Sequence, residues 1–119
     1  MIVVRSYRKV RAQPVIEEPG VTVRWLVSEQ DKGPGFALRL YEMEPGATTI
    51  AQSHYWEHEV FVLSGRGVVV GEESENPLTK GDVVYVPPAE RHRFVNGDDE
   101  VLRFLMVLPI AQATSLPGE

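Results

Sequence analysis

The chain holds three histidines, His54, His58 and His92. Two fall in Gln52-Ser53-His54-Tyr55-Trp56-Glu57-His58-Glu59, and the third closes Pro87-Pro88-Ala89-Glu90-Arg91-His92. Side chains two apart on a strand share a face, so Gln52 and His54 point the same way. A turn at Trp56-Glu57 lets His58 open the next strand toward the same interior. His92 starts another strand after the rigid Pro87-Pro88 corner. Imidazoles converging with no thiolate nearby suit a divalent first-row metal such as Mn, Fe, Co, Ni, Cu or Zn. A lone strand histidine is more often a hydrogen-bonded structural residue, and spacing alone leaves the two readings about even. Glu59 competes with its neighbour: strand alternation turns only one of His58 and Glu59 inward, and an inward Glu59 gives a two-histidine, one-carboxylate site.

The elements that must carry these residues are short. Apolar runs at Val21 to Val27, Phe36 to Met43, Glu59 to Leu63, Gly67 to Val70, Val83 to Val86, Arg91 to Val95 and Val101 to Leu108 are strand-length and rich in Val and aromatics. Glycine, proline, asparagine and aspartate punctuate them, as in Ser64-Gly65-Arg66-Gly67 and Asn96-Gly97-Asp98-Asp99. This rhythm predicts an all-β, antiparallel fold with little helix, since no apolar i, i+3, i+4, i+7 pattern persists for three turns. Gly71 to Pro77 reads as an acidic turn between strands, and residues 112–119 as a frayed tail.

Composition bounds the function. The chain has 119 residues, 43% hydrophobic and 24% charged, with no cysteine. That predicts one domain over 1–119 and removes disulfides, thiolate metal sites and cysteine nucleophiles. Twelve basic against seventeen acidic side chains leave a net charge of −5, a poor surface for neutralising nucleic-acid phosphates. The basic run Arg5 to Arg11 reads as a solvated N-terminal arm, with contact to a partner subunit as one role. Met1 to Lys9 places its apolar residues before the basic ones, the reverse of a signal peptide. The apolar run Phe104 to Ile110 is far too short to span a membrane. A cytoplasmic protein is expected.

The two histidine segments resemble a known family. Gly46, five residues, Gln52-x-His54, then His58-Glu59 and the hairpin Gly65-Arg66-Gly67 resemble the first cupin motif. Gly81, five residues, Pro87-x-Ala89-x-x-His92-x-x-x-Asn96 resembles the second, with Ala89 where that motif has glycine. The likeness covers residues 46–96 and implies a cupin jelly-roll barrel with a metal near its mouth. Within the family the chain resembles small single-domain cupins of the histidine-rich group, whose pattern reads His-x-His-x-x-x-His-Glu. Carried over by position, the resemblance makes His54, His58 and His92 metal ligands and puts Gln52 where the first histidine stands. It also favours His58 over Glu59. A glutamine amide oxygen is a neutral, weaker donor than imidazole, so affinity drops and the position opens to water or substrate.

Three neutral imidazoles leave the charge of a divalent ion uncompensated, which favours anionic or chelating small-molecule ligands. Coordination positions left open suit O₂ together with an organic substrate, so dioxygenase-like oxidation is the first expectation. Lewis-acid isomerisation is the second. A non-catalytic metal or small-ligand binding module is the alternative from another class, and a structural barrel that has lost its metal is a third. In Val101 to Leu108, Arg103 marks the outer face, so Leu102, Phe104, Met106 and Leu108 point inward. Phe104 and Met106 then line the substrate pocket or simply fill the core. Arg39, mid-strand in an apolar run, either projects from the outer face or reaches the pocket to anchor a carboxylate. Neither Ser53 nor Ser64 sits in Gly-x-Ser-x-Gly, and Gly65-Arg66-Gly67 is too short for a phosphate loop. A homodimer is expected, because small open barrels commonly cover an edge or a sheet face with a twin.

Overall fold

A computed structural model describes residues 2–32 and 34–110. The tail expected to fray lies outside them. Nine strands follow in order: β1 (Gln13–Pro14), β2 (Val21–Val27), β3 (Phe36–Met43), β4 (His58–Ser64), β5 (Arg66–Val70), β6 (Glu75–Thr79), β7 (Val83–Val86), β8 (Arg93–Val95) and β9 (Leu102–Pro109). Two single-turn 3-10 segments, Tyr7–Lys9 and Glu29–Asp31, are the described helical elements. The strands form two antiparallel sheets, one ordered β1-β2-β3-β9-β4-β7 and the other β6-β5-β8. No helix among the described residues is long and apolar enough to cross a membrane.

Alternation along the central strands builds the interior. In β9 every second residue from Leu102 to Leu108 is buried, with Arg103 on the outer face as its charge requires. Register then stacks the inward residues of neighbouring strands: Tyr41 and Val62 flank Phe104, and Arg39 and Val60 flank Met106. Phe104 also stacks on Phe94, centroids 4.7 Å apart, which ties the small sheet to the large one. At the β4–β5 hairpin, Gly65 has φ +84°, and a Cβ there would run into the Val101 carbonyl and lie 2.9 Å from Leu102 Cα. Only glycine meets both demands.

Two sequence expectations need correction. The acidic segment after Gly71 is not all turn: Glu75–Thr79 pairs with β5, Pro77 opposite Val68. A strand carrying proline escapes a propensity reading, yet β6 ends its sheet, where a missing N–H breaks no ladder. The basic N-terminal segment stays solvated at Arg5, Ser6, Arg8, Lys9 and Arg11, but it is docked on the sheet rather than a free arm. Arg5 donates to the Leu26 carbonyl at 2.6 Å and pairs with Asp31. That guanidinium holds the Asp31 carboxyl down to about 2, chiefly by hydrogen bonding. Tyr7 lies against the guanidinium groups of Arg24 and Arg103, which both pair with Glu42. The charges answer one another across the sheet's outer face.

Candidate metal centre

The stretch 47–54 forms no regular strand, but it runs beside the stretch entering β8 and is pinned there. Gln52 and His92 exchange both backbone hydrogen bonds at 2.9 Å. Thr49 N–H donates to Phe94 O at 2.9 Å, and Asn96 N–H to Ala47 O at 2.9 Å. The Pro87-Pro88 corner closes the clasp: Ala89 N–H donates to His54 O, and Ser53 Oγ to Ala89 O at 3.0 Å. Ala89 takes φ +68° there, a left-handed conformation that explains why the family motif has glycine at that place. Asn96 is wholly buried and donates its amide to Met43 O and Glu100 O, so its role is to fasten the turn.

This backbone brings the three histidines together. Ring centroids are 5.1 Å apart for His54 and His58, 5.7 Å for His54 and His92, and 5.6 Å for His58 and His92. His58 opens β4 facing inward at 1% exposure, while Glu59 faces solvent. Gln52 stands opposite His92, and its Oε1 is buried with no hydrogen-bond partner among the described residues. Trp56 stacks on His54 at 4.5 Å and donates its indole N–H to His58 Nε2 at 2.9 Å.

These partners fix protons. A carbonyl can only accept, so the 2.9 Å contact between His92 Nδ1 and Glu90 O places the hydrogen on Nδ1 and leaves the lone pair on Nε2. An indole can only donate, so His58 Nε2 carries no hydrogen and its Nδ1 does. That Nδ1 is buried without a hydrogen-bond partner among the described residues. His54 is pushed down to about 4 and His58 to about 3, first by burial and then by the neighbouring histidines and the Arg39 charge. Both are neutral at pH 7, the form in which imidazole ligates a metal. The donors fit a transition metal in kind and number. As the side chains stand, no group of three or more His, Cys, Asp or Glu among the described residues is arranged to hold one, and Trp56 occupies the His58 nitrogen.

Two of the expected pocket residues, Phe104 and Met106, border this cluster at His92. A cavity of about 10 Å³ is lined by Gln52, His92, Phe104 and Met106, together with Tyr41 and Glu18. A cleft of about 400 Å³ between the two sheets also reaches His92. Arg39 shares the inner face of β3 with Ala37, Tyr41 and Met43 and is 0% exposed, which rules out the outward reading. Sequence reasoning missed Glu18. It is 4% exposed, accepts the Ile50 N–H at 2.7 Å, and has its carboxyl raised by burial. In Glu17-Glu18-Pro19-Gly20 it looks like one more turn acid, and no spacing marks it as interior.

Residues 39–108 match the family model described as Cupin_2: Cupin domain. The chain is 31% identical to the polyketide cyclase RemF of Streptomyces resistomycificus, whose solved structure superposes with a TM-score of 0.86 over 92% of this chain and 80% of that one. It is 28% identical to an uncharacterized protein of Methanocaldococcus jannaschii, over 87% of this chain and 83% of that protein. It is 31% identical to the glucose-6-phosphate isomerase of Pyrococcus abyssi over 78% of this chain, but spans only 57% of that enzyme.

Proposed function

This chain belongs to the cupin domain family, and on that footing we propose that it is a metal-dependent enzyme acting on a small, oxygen-rich molecule beside the three histidines. The observation that carries the proposal is the donor set: three imidazoles with centroids no more than 5.7 Å apart, and a buried Gln52 oxygen without a partner among the described residues. His54, His58 and His92 would hold the ion, Mn, Fe, Co, Ni, Cu or Zn, with the Gln52 oxygen as a weaker fourth donor. When bound, such an ion supplies Lewis acidity toward a carbonyl or hydroxyl oxygen, undiminished by any carboxylate ligand.

The chain's own residues supply the rest. The Glu90 carbonyl sets the His92 ring, as an acceptor behind a ligating imidazole does. Phe104 and Met106 present apolar surface and exclude water. Glu18 Oε2 is held by the Ile50 amide, and its carboxyl, kept from ionising easily by burial, is suited to take and return a proton at Oε1. Two similar proteins are named for cyclisation and isomerisation, which supports rearrangement at a carbonyl as the first reading. O₂-dependent oxidation is second, favoured by a donor set that leaves positions open for two further ligands.

Untagged protein loaded with one metal at a time, incubated with 1,3-diketones and sugar phosphates in deuterated buffer, tests the order. The expected result is deuterium exchange beside the carbonyl, lost in Glu18→Gln. Oxygen uptake without exchange selects the second reading. Metal retention with neither reaction leaves a binding module, and absence of stoichiometric metal removes the proposal.

A further inference from the structure

We propose that Arg39 is an anion site built into the barrel interior, shaped for the carboxylate of a small organic acid. The side chain is 0% exposed, yet Nε and Nη1 have no acceptor among the described residues. Among the described residues Nη2 donates to the Met106 sulfur alone, at 3.1 Å, a weak acceptor. None of the described ion pairs includes Arg39. Its guanidinium lies against the rings of Trp25 at 5.1 Å and Tyr41 at 5.4 Å. The aromatic faces soften its isolation without neutralising it.

A guanidinium keeps its charge in a protein interior, so burying one unpaired is strongly unfavourable. Nothing in the surrounding core needs it: the neighbouring inward positions of β3 are Ala37 and Tyr41, and a methionine or leucine would fill the volume. A planar carboxylate takes two parallel hydrogen bonds from one edge of the guanidinium, Nε with Nη2 or Nη1 with Nη2, so it would engage one unpartnered nitrogen together with the Nη2 hydrogen that does not point at the Met106 sulfur. The aromatic rings and Met106 around it favour a flat carboxylate, which carries one charge per group, over a tetrahedral phosphate that concentrates up to two, whose desolvation is harder. Arg39 pairs in register with Met106, which lines the cavity shared by Gln52 and His92. That cavity, about 10 Å³, has room for no more than a water, so a carboxylate reaches Arg39 by displacing Met106, and the remainder of a short acid then runs toward the histidines. This deepens the proposed function by naming its substrate class, and rests on that reading only for the acid's far end. The unpartnered guanidinium itself owes nothing to a metal.

The test uses chelator-treated protein, with malonate, malonamide and inorganic phosphate as probes in calorimetry and in Trp25-sensitive fluorescence. Malonate should bind and raise the melting temperature, and malonamide should do neither. Arg39→Met should weaken malonate at least about thirtyfold while raising the melting temperature of the free protein, because it removes an uncompensated charge. Arg39→Lys, which keeps the charge and loses the planar fork, should weaken malonate about tenfold. No malonate binding to the wild type at about 10 mM, equal binding by either variant, or tighter binding of phosphate overturns the assignment. If the histidines take up no metal but malonate still binds through Arg39, the metal reading fails and this one stands.

Discussion

Lowering the pH from 5.5 to 4.5 should weaken folding of the metal-free protein by one to two powers of ten, through two histidines that the fold keeps neutral. Burial, then His54, His92 and Arg39, push His58 to about 3. Burial, then His92 and Arg39, push His54 to about 4. An unfolded histidine titrates near ~6.5. In the window between, the unfolded chain takes up a proton on each ring and the folded chain does not. The unfolded state therefore gains as pH falls, and stability is lost from the acid side. Each ring contributes about a tenfold change per pH unit, roughly 1.4 kcal/mol. His58, 1% exposed, carries this in full, whereas partly exposed His54 is screened and carries less. The sum is about 1–3 kcal/mol over the unit. Glu18, raised by burial, works in the opposite sense and trims the total. The Arg5–Asp31 pair does not enter, since Asp31 is lowered from 3.8 to about 2 and titrates below the window. Urea unfolding of chelator-treated wild type and His58→Gln, followed by tryptophan emission, measures the effect. His58→Gln should remove about a tenfold change per unit. Equal stability at the two pH values, or an undiminished slope in the variant, refutes the reasoning.

Three further outcomes follow from particular contacts. Trp56→Phe keeps a ring against His54 but frees His58 Nε2, so calorimetry should show Zn²⁺ affinity rising about tenfold, the worth of one competing hydrogen bond. Unchanged or weaker affinity contradicts it. Ala89→Gly relieves φ +68° and should stabilise by about 0.5–1 kcal/mol in chemical denaturation, and a loss of stability would show the residue is unstrained. Phe61, Val83 and Tyr85 stand exposed on the outer face of the β4–β7 pair. If a twin chain covers that face, sedimentation should find a dimer for the wild type and a monomer for Phe61→Lys, and a monomeric wild type rejects this pairing.

Much of the site was legible because strand parity is a strong constraint. In β9 the single charged residue Arg103 announces the outer face, and the inward placement of Phe104 and Met106 follows from it. The turn residues around β2, β3 and β7 mark their ends, and those strands coincide with the apolar runs read from the sequence. Arg39 shows the limit of that logic. A charge in a strand sets parity only if charges stay outside, and this one is on the inner face. Glu18 was hidden for a related reason: burial of a carboxylate depends on where the Ile50 amide arrives from 32 residues away, which no local pattern encodes. The strand through Pro77 was missed because proline is forbidden only where its N–H would be needed. Docking of the basic N-terminal segment depends on Asp31, which pairs with Arg5, and on Arg24, which donates to the Tyr7 and Val10 carbonyls, partners distant in sequence that only the folded sheet aligns with it.

The most direct measurement is an anomalous-difference map, collected at the absorption edge of the supplied metal, from crystals of untagged protein grown with Mn²⁺, Fe²⁺ or Zn²⁺. One strong peak about 2.0–2.3 Å from a ring nitrogen of each of His54, His58 and His92, with Trp56 withdrawn from His58, is the predicted result. Full occupancy elsewhere, or no peak among the three rings with metal in excess, contradicts the account.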